Sequence, residues 1–145
     1  IMFIDALLLV SDAQAVTVDA VSTHTIDLGG TNKRIGNGVP LVFFITLDVA
    51  ADITDLNETY SFQVIQSASA NLSTPDVLAV RTIAAADLKA GVIQSIGIPI
   101  GTPTKQYLGL NYDTGGTTPS LTVTAGVVPQ SFVAGNVRVD NPGVF

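Results

Sequence analysis

The sequence predicts an all-β chain: an antiparallel two-sheet sandwich, most simply an eight-stranded jelly roll. Three observations lead there. Short runs of alternating or continuous apolar residues recur along the chain, each bounded by Gly, Pro, Asn or Asp. No long helix, heptad pattern or internal repeat can be placed. The 145 residues suit one domain with one core, so sheet must pack on sheet. An immunoglobulin-like sandwich is the second choice, but its Cys and Trp hallmarks are missing.

In order, the chain divides into an N-terminal arm (1–14), a jelly-roll domain (15–130) and a C-terminal tail (131–145). The apolar start, Ile1 to Val10, lacks the positive charge of a signal peptide and reads as an arm lying on something apolar. Ala15 to Asp19 and Ser22 to Asp27 are short β-branched runs, followed by a Gly/Asn-rich loop from Gly29 to Gly38. Val39 to Val49 is the strongest strand, and its run Leu41 to Ile45 fits burial on both faces. Asp48 to Glu58 is an acidic loop. Tyr60 to Ala68 alternates as a half-buried strand, and Val77 to Ile83 is the next. Ala84 to Ala90 has helix-favouring composition and allows one or two turns before Gly91. Val92 to Ile100 and Lys105 to Tyr112 read as a hairpin around Gly101 and Pro103, with Pro99 placing the first run at a sheet edge or strand end. Asp113 to Pro119 reads as a turn, and Leu121 to Val127 alternates in the last clear strand.

Composition narrows the function. Charged residues make up 12% of the chain against roughly 25% in average domains, a shortfall that fits a surface partly covered by partners. The net charge of −6, with six Lys and Arg residues, argues against nucleic-acid binding. No apolar run approaches the ~20 residues of a membrane span, so no membrane partner is expected. Without Cys there is neither a disulfide nor a thiolate metal site.

The chemical motifs resolve to structure. Asp113-Thr114-Gly115 could be half of an aspartic-protease dyad, but a dyad Asp should follow a buried apolar strand, and Asn111 and Tyr112 precede this one. It reads as a hairpin turn. His24 is the single histidine, and on one strand it points away from Asp27, so no Ser–His–Asp relay forms. Asp48, Asp52, Asp55, Asn57 and Glu58 offer oxygen ligands without the glycine and spacing of a Ca²⁺ loop, and read as solvated. Lys33 and Arg34 lie in a glycine-rich loop without phosphate-loop order. Phe43 and Phe44 point to opposite faces, leaving no aromatic platform for sugars or single strands. No catalytic residue, cofactor or metal is expected.

Four segments carry a resemblance: Asp5 to Gly29 (DALLLVSDAQAVTVDAVSTHTIDLG), Ile35 to Asp48 (IGNGVPLVFFITLD), Ile98 to Tyr112 (IPIGTPTKQYLGLNY) and Leu121 to Val128 (LTVTAGVV). In the same order, they resemble the small capsid cement proteins of tailed bacteriophages. Gly109 departs from that pattern, in which a basic residue is common. The resemblance implies a non-catalytic jelly roll on the outer surface of the virion capsid, bridging neighbouring major capsid subunits. Apolar ends suit that role: Phe3, Ile4, Leu7 and Leu8 in the arm, with Val139, Val144 and Phe145 in the tail, are expected at the partner interface. Self-association as dimers or trimers on symmetry axes is also expected. The alternative is a receptor- or glycan-binding sandwich of a fibre, against which the lack of Trp counts.

Overall fold

Apolar residues at every second position share one face only if the backbone is extended, and the chain follows this rule along most of its length. The computed structural model describes residues 9–30, 41–54, 56–99 and 104–129. Among them run nine strand segments: β1 (Leu9–Val16), β2 (Ala20–Val21), β3 (Ile26–Asp27), β4 (Leu41–Val49), β5 (Thr59–Ser67), β6 (Asp76–Ile83), β7 (Ile93–Gly97), β8 (Tyr107–Gly115) and β9 (Leu121–Pro129). A single 3-10 turn, Ala85–Asp87, is the helical content of the described residues.

The strands form two antiparallel sheets. One has the order β1-β9-β4-β7; the other has β2-β8-β5-β6, with β3 pairing on β8 as well. Ala20 and Val21 of β2 face Tyr112 and Asn111, and Ile26 and Asp27 of β3 face Leu108 and Tyr107. These two fragments therefore occupy one broken strand position, and nine segments fill eight places. The first strand pairs with the last, and every connection except β2–β3 and β5–β6 changes sheet. This is the path of a jelly roll.

The core lies between the sheets. Phe43, Ile45 and Leu47 of β4 and Leu121, Val123, Ala125 and Val127 of β9 meet Tyr60, Phe62 and Val64 of β5 and Leu108, Leu110 and Tyr112 of β8. Phe62 and Tyr112 meet edge to face at 5.9 Å and 81°. β4 is buried on both faces, because Val42 and Phe44 form a second cluster with Val128, Leu9 and Ile93 on the other side of the sheet. Phe43 and Phe44 thus point opposite ways, as alternation requires.

Four expectations need correction. The run after Val92 and the run to Tyr112 are not a hairpin: β7 pairs with β4, while β8 pairs with β5 in the opposite sheet. Each run shows one apolar face, and burying that face chose different neighbours for the two. β7 does lie at a sheet edge and ends at Gly97, before Pro99. The boundary at 14 also moves, since Leu9 to Gln14 belong to β1. Register shifts between Leu9 and Ser11 and between Ser11 and Gln14 break the alternation that would have revealed the strand. The extended run expected over Ala15 to Asp19 stops at Val16. Finally, Asp113, Thr114 and Gly115 remain in β8, opposite Ser61, Tyr60 and Thr59, and the turn starts at Gly116 with φ +100°.

Candidate functional site

The jelly-roll path gives the sandwich two unlike ends. At one end lie the β1–β2, β4–β5, β6–β7 and β8–β9 connections, because Val16 pairs with Leu121, Val49 with Thr122, and Thr59 with Gly115. This is the loop end. At the other end the described chain enters at Leu9 and leaves at Pro129, which faces Leu41. The large apolar side chains exposed among the described residues are Val18, Val49, Ile53, Leu56, Val77, Val80 and Val92. Five of them (Val18, Val49, Ile53, Leu56 and Val92) sit at the loop end; Val77 and Val80 lie on the edge strand β6.

The β4–β5 connection is the most elaborate part of that end. Asp52 N–H donates to the Ser120 carbonyl (2.8 Å), and the Asp52 carboxylate accepts from Thr54 N–H and Oγ1 (2.8 and 2.6 Å). These Thr54 bonds, side chain first and then backbone, hold the Asp52 carboxyl below the ordinary carboxylate range. The Tyr60 hydroxyl donates to the Asp52 carbonyl at 2.9 Å. Asn57 is clasped to Thr117 twice, through Nδ2 to Oγ1 (2.9 Å) and from Thr117 N–H to Oδ1 (3.1 Å). Gly116 lets this clasp close, since a Cβ there would stand 2.6 Å from the Asn57 carbonyl oxygen. A cleft of about 310 Å³ lies beside the connection, lined by Ile53, Leu56, Glu58 and Ala84 to Ala86.

The motifs singled out by sequence take up structural tasks. Asp19 Oδ1 accepts from Thr114 N–H at 2.7 Å and from its hydroxyl at 3.2 Å, tying β8 to the β1–β2 connection. Asp113 is exposed opposite Ser61. Ser22 Oγ donates to the His24 carbonyl, not to its imidazole, while Asp27 receives Gly29 N–H and Gln106 Nε2. Asp48 accepts from Thr124 Oγ1. Among the described residues no three His, Asp or Glu side chains are grouped to hold a metal. Lys33, Arg34 and Asp55 lie outside the described residues, as do the expected interface residues Phe3, Ile4, Leu7, Leu8, Val139, Val144 and Phe145.

A family model for Bbp16 matches residues 10–131. The chain belongs to the Bbp16 family. The match begins one residue into β1 and ends just after β9, so the Bbp16 unit is the sandwich itself. No curated protein matches this Bbp16 member.

Sequence reasoning missed the loop end. The signal was present in Ile53 and Leu56, apolar residues of an acidic loop that no strand period uses, just past Val49 at the end of β4. The carboxylates dominated that reading.

Proposed function

We propose that this Bbp16-family protein is a non-catalytic structural component of a virion, cementing a tailed-phage capsid from outside by bridging neighbouring major capsid subunits. The observation that carries the reading is the two-ended sandwich. Exposed apolar side chains gather at the loop end, and the described residues begin and end at the opposite end. A clip that joins two subunits needs adhesive surface at separated places; the loop end would be one, and the apolar arm and tail, by their composition, would be the other. The resemblance of four segments, in order, to phage cement proteins supports the same reading. The apolar arm and tail, through Phe3, Ile4, Leu7, Leu8, Val139, Val144 and Phe145, would lie on adjacent subunits. Many copies on one shell make individually weak contacts sufficient. Placement on symmetry axes would favour dimers or trimers of the protein itself. The net charge of −6 suits an outer face, away from packaged nucleic acid.

The test is binding to phage heads that lack the protein. Saturable co-sedimentation with mature heads, but not with procapsids, is expected, together with greater resistance of decorated heads to heat or internal pressure. Absence of binding to mature heads would overturn the reading.

A further inference from the structure

We infer that β6 is a self-pairing edge: two copies of this chain join β6 to β6, antiparallel, with Val77 of each opposite Val80 of the other, into one continuous sheet. The inference names the surface for the self-association in the reading above. Its test needs no capsid, so each can fail alone.

A sheet edge with unpaired N–H and C=O groups is a template for another strand. The four edges of this sandwich are not equally open. β1 is kinked by two register shifts, and Ala13 within it has φ +51°. β2 and β3 are fragments of two residues each. β7 has five residues and stops at Gly97, just before Pro99. β6 runs for eight residues, Asp76–Ile83, without Gly or Pro, and pairs on one side with β5. Among the described residues no strand pairs with its outer edge.

The occupant follows from the order of residues in β6, which complements itself when reversed. Val80 faces Gln63 and Val77 faces Ile65, two positions apart on β5, because Leu78 is an extra residue at the register shift. The two valines therefore share the outer face of the sheet, where they are 55% and 50% exposed. Asp76 faces Gln66 and Arg81 faces Phe62, which places both on the other face. With Val77 set opposite Val80 of a second copy, Asp76 comes opposite Arg81 at both ends, and Leu78 opposite Ala79 in the centre. Both copies carry the same extra residue between the valines, so the spacing matches. Each cross-strand pair is then apolar with apolar or carboxylate with guanidinium. A slip of one residue loses the charge pairs and turns the valines away from each other.

The two charges of β6 do not guard the edge. Lys105 Nζ (2.7 Å) and Gln66 Nε2 (3.4 Å) both reach Asp76 Oδ2, and Arg81 Nη1 donates to the Ser95 carbonyl (2.6 Å). Both side chains lean back onto their own fold. Val77 to Val80 is left without a lysine or proline, the usual protection of an edge.

Sedimentation equilibrium of the full chain is the test, run from ~5 to ~500 μM because so small an interface associates weakly. The mass should rise with concentration from 15.0 kDa toward twice that value. Val80→Lys sets an ammonium against the valine of the other copy and should weaken association about tenfold or more. Thermal melting will show that this variant folds. Val18→Lys, at the loop end, should leave association unchanged. The chain has no cysteine, so engineered disulfides report the register. A mixture of Val77→Cys and Val80→Cys should cross-link at least about fivefold more than either variant alone, because only the mixed pair brings two Cα atoms within the roughly 7 Å that a disulfide spans. A monomer at every concentration, as when a segment of the same chain covers the edge, overturns the inference. So does undiminished association of Val80→Lys, or equal cross-linking in the mixed and single samples.

Discussion

At Gly109 a missing side chain decides the packing of a whole loop. A Cβ there would stand 2.5 Å from Leu72 Cδ1 and 3.0 Å from Ser22 Oγ. Leu72 reaches this place from the β5–β6 connection, is buried, and has φ +58°. On the same strand pair, Ile65 stands opposite Gly109 and is also buried. A longer side chain at this position could not enter while Leu72 lies there. Gly109→Ala should therefore cost about 1–3 kcal/mol by overpacking. The double variant with Leu72→Ala should cost less than the sum of the two single ones, by about 1 kcal/mol or more. Urea unfolding of the four proteins measures this coupling; strict additivity would show that the two positions do not press on each other.

At the scale of elements, the interrupted edge beside β8 shows how a side chain can stand in for a strand. Between β2 and β3, Ser22 N–H donates to the Leu110 carbonyl (2.8 Å), and Leu110 N–H donates to Ser22 Oγ (3.2 Å). The same hydroxyl donates to the His24 carbonyl at 2.9 Å, and His24 N–H crosses to the Val10 carbonyl at 2.8 Å in the other sheet. One serine thus joins the two fragments and lets the chain lean toward β1. Ser22→Ala leaves the buried Leu110 N–H without this acceptor, which should cost about 1–3 kcal/mol. Amide hydrogen exchange at Leu110 should accelerate more than at Val64, in the middle of β5. Equal acceleration at both would mean that only global stability had changed.

For the whole molecule, the titratable groups define a pH window. Gln106 and Gly29 N–H hold the Asp27 carboxyl below its ordinary value of 3.8, Thr54 does so for Asp52, and the hydrogen bond from Lys105, whose Nζ lies 2.7 Å away, does so for Asp76. Carboxyls lowered in the folded state contribute stability above their unfolded value, and that contribution is lost as pH falls through the folded values. At the alkaline side the sign is reversed for the tyrosines. Burial raises Tyr112, whose hydroxyl sits 2.6 Å from Ser11 Oγ in the core, and burial also raises Tyr60. Above about pH 10 the unfolded chain gives up the Tyr112 proton and the folded one keeps it, so stability falls by about 1.4 kcal/mol per pH unit from this group, and Tyr60 acts in the same direction. Unfolding free energy should be flat from roughly pH 5 to 9. Urea unfolding across pH should show the alkaline fall, and Tyr112→Phe should make it shallower. An unchanged slope would mean that Tyr112 is not what drives it.

Much of this architecture was legible in the one-dimensional chain. Alternation along Tyr60 to Val64 and Leu121 to Val127, the doubly buried run of β4, and turns rich in Gly and Pro determined an all-β sandwich of about eight strands. They did so because side-chain period and backbone geometry are local properties. Partner choice is not local. That β7 and β8 join different sheets instead of pairing, and that the bulged segment from Leu9 belongs to the sheet, was decided when both sheets buried their apolar faces together. The loop end was decided at the same level. Val18, Val49, Ile53, Leu56 and Val92 are scattered over 75 positions, and only the sheet-to-sheet crossings bring them to one pole.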